Sequence, residues 1–80
     1  MQVTKEQLTR ISDAWGELAF MALEVLERTA PEVEQASKNG APIPDPIKAV
    51  RKRAETDLDA AKYASPALAK AIGEVSSRTV

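Results

Sequence analysis

From Leu8 to Leu26 the apolar residues recur at three- and four-residue intervals, the repeat of an amphipathic helix. Thr4 followed by Gln7 makes a capping box, and Val3 stands where it can staple onto Leu8. The spacing therefore predicts a first helix over 5–29. Proline lacks the amide a helix interior needs, so Pro31 should end that segment. It also suits a first helical turn, which predicts a short second helix over 31–38. Asn39-Gly40 is its stop, because glycine takes the left-handed C-terminal conformation without steric cost. Residues 41–46 carry Pro42, Pro44 and Pro46 at alternate positions and read as a stiff, extended spacer. Asp45-Pro46 then caps and opens a third helix over 46–64, and Ser65-Pro66 repeats the signal for a fourth over 66–76. No strand-like alternation and no internal repeat occurs. The expected fold is all-α: a single domain over 1–80, a small helical bundle of three main helices plus one short helix, centred on the long N-terminal one.

That first helix is too apolar for its place. In the run Leu18–Leu26, eight of nine residues are apolar. Placed at 100° intervals, Met21, Ala14, Val25, Leu18, Ile11, Ala22, Trp15, Leu8 and Leu26 form one face, the expected core, with Trp15 as its anchor. The arc continues through Ala19, Leu23, Gly16 and Phe20 to roughly 220–260°, against the ~100° that one packing interface uses. The later helices have single stripes: Ile47, Val50, Ala54, Leu58 and Ala61 on the third, and Leu68, Ala71, Ile72 and Val75 on the fourth. They leave part of the first helix uncovered. The predicted spare edge is Gly16, Phe20 and Leu23, bordered by Glu27. There glycine and the nearby alanines would admit another backbone, with Phe20 and Leu23 as knobs.

Length bears on the same point. An 80-residue chain hides only about 60% of its unfolded surface and is often marginal as a monomer. With neither cysteine nor histidine, disulfides and the usual zinc sites are excluded as reinforcement, which leaves close helix packing or oligomerisation. The opening residues resemble no signal segment, and the longest apolar run falls far short of the ~20 residues needed to cross a bilayer. A cytoplasmic protein without a membrane partner is the expectation.

Charge adds a second candidate. Residues 1–34 hold three basic against seven acidic side chains, net −4, and residues 35–80 hold eight against five, net +3. Lys48, Arg51, Lys52 and Arg53 form the one concentrated basic cluster, in the first turns of the third helix, where the helix dipole disfavours cations. Such a cluster could meet an anionic partner. Arg53 falls on the flank opposite the other three, however, and no aromatic residue interleaves for base stacking. Salt bridges within the chain or to a partner protein are the favoured reading, nucleic acid the lesser one and a membrane surface the least.

Chemistry is sparse. Without His or Cys, general-base and nucleophile roles fall to carboxylates, lysines, serines or Tyr63. Glu55 and Asp59, and Glu24 and Glu27, are near neighbours on helices, but this is ordinary solvated spacing rather than a metal site. The three glycines make no phosphate-binding loop. The sequence predicts no catalytic residue, no metal and no cofactor. It points to a non-enzymatic adaptor or inhibitor that occupies a partner protein's surface as a homodimer. The alternatives are a small DNA-binding regulator using the basic cluster, and a structural subunit of a larger assembly.

Overall fold

Ser12 breaks the first predicted helix in two. The computed structural model describes residues 3–78, with side chains described through Glu74, so Val75 of the predicted fourth stripe lies outside the described side chains. Its elements are α1 (Lys5–Ile11), α2 (Asp13–Asn39), α3 (Asp45–Ala64) and α4 (Pro66–Arg78), with no strand among the described residues. The protein is a small all-α bundle.

The capping box forms as the sequence requires. The Gln7 amide donates to Thr4 Oγ1 at 3.2 Å, and the Thr4 amide donates to Gln7 Oε1 at 2.9 Å. At Ser12 the backbone turns extended (φ −155°, ψ 121°), closing α1 and opening α2 at one residue. The Ser12 amide still donates to the Leu8 carbonyl, and the Gly16 amide to that of Ser12, so the break leaves few backbone groups unserved. A straight helix over 5–29 could not pack against itself. The broken one lets α1 fold onto α2 and α4, which takes Leu8 out of solvent completely.

Pro31 does the reverse of what was expected: α2 runs through it, so the predicted separate helix over 31–38 is the second half of α2. Proline removes one helical hydrogen bond here, and the turn before it is held from outside. Arg51 Nη1 on α3 donates to the Leu26 carbonyl at 3.0 Å and to Thr29 Oγ1 at 2.7 Å. Thr29 in turn donates to the Val25 carbonyl at 2.8 Å. Gly40 ends the helix in the left-handed region (φ 62°, ψ 24°), with the Ala41 amide returning to the Ala36 carbonyl.

Pro44 occupies the cap of α3, one residue earlier than expected, and Asp45 is helical. Between α3 and α4, Ser65 serves both ends. Its amide donates to the Ala61 carbonyl, its carbonyl accepts from the Ala69 amide, and its hydroxyl accepts from the Leu68 amide.

The helix pair α2–α3 is the frame, with α1 packed on α2 and α4 on both α3 and α1. The Cα extents are 40 × 23 × 17 Å. The long dimension is that of α2 itself, 27 residues at about 1.5 Å each. The short one admits two helix layers, given axes roughly 8–10 Å apart. A bundle this thin leaves every helix a face toward solvent.

Candidate interaction surface

The core is built mostly from small side chains. Its buried members are Val3, Leu8, Ala19, Ala22, Ala54, Leu58, Ala61, Leu68 and Ile72. Along the α2–α3 pair, Ala19, Ala22, Ala36, Ala54 and Ala61 supply five of the six buried side chains, the condition for close backbone approach. The large, fully buried residues Leu8, Leu68 and Ile72 come from the two short helices.

Gly16 sets which face of α2 turns inward. It is buried, and a Cβ built there would fall 2.5 Å from the Leu8 carbonyl carbon and closer still to its oxygen. Contacts that short do not occur in real structures, so only glycine lets the α1 peptide lie against this turn. A glycine at this helical position predicts a closely approaching backbone, there expected from a partner. The backbone that does so is the chain's own.

The expected spare edge is thereby corrected. Gly16 is taken up by α1, while Phe20 and Leu23 are half-buried and packed against the core. Glu27 is exposed and lines a shallow depression between the start of α1 and the middle of α2, together with Phe20, Glu24 and Arg28. Its rim is charged: Lys5 pairs with Glu17 at 3.5 Å, and Arg28 with Glu24 at 3.1 Å.

Of the face expected in the core, Leu8 and Ala22 are buried and Leu26 packs on the core, but the largest side chains lie outside. Met21 is 57% exposed, Trp15 41% and Ile11 40%, and Ala14 is exposed as well. Leu18 and Val25 are half-buried, though Val25 still touches the core. Ala14, Leu18, Met21 and Val25 follow one another at i, i+4, i+7 and i+11, a single line along α2. At 100° per residue that line lies roughly 140–180° round the helix from Gly16, away from α1. Val50 on α3 is 46% exposed, and Tyr63 near its C-terminus is almost wholly in solvent.

A wheel weighted by hydrophobicity turns toward Trp, Met and Ile, which is why the sequence reading put them inside. The signal that locates the true core side was present in Gly16, Ala19 and Ala22. Small residues at helical spacing mark where another helix comes close.

The basic cluster is dispersed. Arg51 is half-buried and donates to α2 as described, and Arg53 pairs with Asp57 at 3.4 Å. Lys48 and Lys52 remain exposed, and with Arg51 they border an open depression that also includes Asp45 and Glu55. The two carboxylates on the same rim offset most of the three positive charges a phosphate backbone would meet. One end of the Arg51 guanidinium serves the α2–α3 junction.

Among the described residues no three acidic side chains converge as a metal site would require, and no buried side-chain polar atom lacks a hydrogen-bond partner. No helix among them is long and apolar enough to cross a membrane. No protein-family model matches the chain, and neither does any curated protein or solved structure.

Proposed function

We propose that this chain is a non-enzymatic protein-interaction module, an adaptor or inhibitor that acts by covering a protein surface, with its contact face on α2 around Trp15, Leu18 and Met21. One observation carries the reading. The fold buries alanine and glycine along its main helix pair and leaves Met21, Trp15, Ile11 and Val50 in solvent. Scattered exposed apolar residues need no explanation, but on α2 Trp15 and Met21 stand exposed on either side of half-buried Leu18, a patch that a chain with so small a core would otherwise bury. Burial of a leucine- or methionine-sized side chain is worth about 1.5–3 kcal/mol, so leaving these uncovered forgoes a large part of the stability such a domain can have. Of the four basic residues a nucleic-acid reading draws on, Arg51 and Arg53 are engaged within the chain, while Lys48 and Lys52 are exposed.

The test compares retention of proteins from the source cell on immobilised wild type and on a Met21→Glu variant. A protein, this chain or another, held by the first and released by the second is the expected result. Equal retention by both, with circular dichroism showing both folded, would remove α2 as the contact face. Retention of nothing by either would remove the reading itself.

A further inference from the structure

We infer that Asn39 is a site of covalent self-modification in the folded protein. The Gly40 amide nitrogen closes onto the Asn39 side chain, and the ring so formed opens to aspartate or isoaspartate where α2 meets the proline spacer. Asn39 is the chain's one asparagine, and glycine follows it. Both residues are exposed, and the Asn39 side-chain amide has no hydrogen-bond partner among the described residues. Its carbonyl carbon is therefore free to turn toward the main chain. On the attacking side, Gly40 has no Cβ, and one placed there would meet nothing within 4 Å. Neither a side chain nor a neighbouring element shields that nitrogen.

Water is the only co-reactant the step needs. The Gly40 amide gives up its proton to hydroxide, and its nitrogen forms a bond to Asn39 Cγ. The Cγ–Nδ2 bond breaks, and ammonia leaves with a proton from water, which restores the hydroxide. The resulting succinimide then takes up one water molecule. Opening at Cγ leaves an aspartate. Opening at the main-chain carbonyl leaves an isoaspartate, in which the chain runs on through Cγ.

The end of the helix restrains this reaction. Asn39 is the last residue of α2, and the Gly40 amide is directed at the Ala36 and Ser37 carbonyls, 3.3 Å from the second. Attack requires that turn to open. Helix ends fray without the protein unfolding, so the opening is local. Isoaspartate cannot close the turn again in the same register, because its main chain is one carbon longer and the Ala41 amide is displaced from the Ala36 carbonyl. Either product also puts a carboxylate at the C-terminus of α2, where the helix dipole disfavours it.

The test holds wild type and Asn39→Gln at neutral and mildly alkaline pH, across urea concentrations below and above the unfolding transition. Mass spectrometry follows peptides spanning residue 39, with a fragmentation that tells aspartate from isoaspartate, and circular dichroism reports folding. Native wild type should convert at residue 39 to both products, at a rate proportional to hydroxide and slower than in the unfolded chain. Asn39→Gln should lose the conversion, because its side chain is one carbon too long for the five-membered ring. Below the transition the rate should stay nearly flat in urea, since fraying of one turn exposes little surface. A rate that climbs exponentially through that range would mean passage through global unfolding and would overturn modification of the folded protein. Native chain left unconverted while the unfolded chain reacts fully would overturn it too, and equal conversion of Asn39→Gln would overturn the assignment to Asn39.

Discussion

Two residues decide the geometry of this molecule, and both act on backbone. Gly16 faces the Leu8 peptide at a distance no side chain can share. In an exposed helix Gly→Ala gains about 1 kcal/mol from propensity. Here the neighbour is helix backbone and cannot give way, so the sign reverses. Gly16→Ala should cost about 1–3 kcal/mol, the usual penalty of overpacking, and urea denaturation should find it less stable than wild type. Arg51 is the second. Its guanidinium spans the Leu26 carbonyl and the Thr29 hydroxyl, which a lysine amine cannot do with the same fixed fork. Arg51→Met keeps the apolar stem and should lose about 1.5–3 kcal/mol for the charged hydrogen bonds. Arg51→Lys should recover only part of that loss in the same experiment.

At the scale of elements, the interest lies in where α2 starts and why it does not stop. Its passage through Pro31 sacrifices a helical hydrogen bond, and interior proline costs about 3 kcal/mol against alanine in an exposed helix. Pro31 is exposed and the turn before it is already held by Thr29 and Arg51. Pro31→Ala should therefore stabilise the protein, by about 1–2 kcal/mol after part of the strain has been relieved by those bonds. A helix that really ended at Pro31 would gain nothing, so thermal melts of the variant separate one continuous α2 from two short helices.

The same elements mark how far the sequence could be read. The ends at Thr4, Gly40 and Ser65-Pro66 were legible because caps are local chemistry, a side chain or a glycine serving the amides and carbonyls next to it. Ser12 was not, because its hydroxyl makes no capping bond and the break is stabilised by what it achieves elsewhere, the burial of Leu8. Pro31 was misread for a similar reason, since its support comes from α3, 20 residues further on. The candidate face was legible as an excess of apolar surface on the first helix but not in its position. The Gly16–Phe20–Leu23 edge and the Leu18–Met21 line are both apolar, and only the placement of α1 tells which of them the chain covers itself.

For the molecule as a whole, thinness and the alanine seam act together. A 17 Å section has no middle layer, so the helix with two apolar sides can cover only one of them internally. If a second copy covers the other, folding and association become one equilibrium, and stability must depend on protein concentration. The size of the effect follows from mass action. Each tenfold rise in concentration adds about 1.4 kcal/mol per dimer, or roughly 0.7 per chain. For domains of this size 1 kcal/mol moves the melting temperature by about 4–8 °C. Wild type should therefore melt about 3–6 °C higher for each decade of concentration, between concentrations at which the dimer is fully formed. Met21→Glu should melt at one temperature over the same range, near that of the isolated chain, since Met21 lies outside the internal core. A wild-type melting temperature that stays constant over two decades, measured by calorimetry where unfolding is reversible, would mean that the chain is stable with its second face bare.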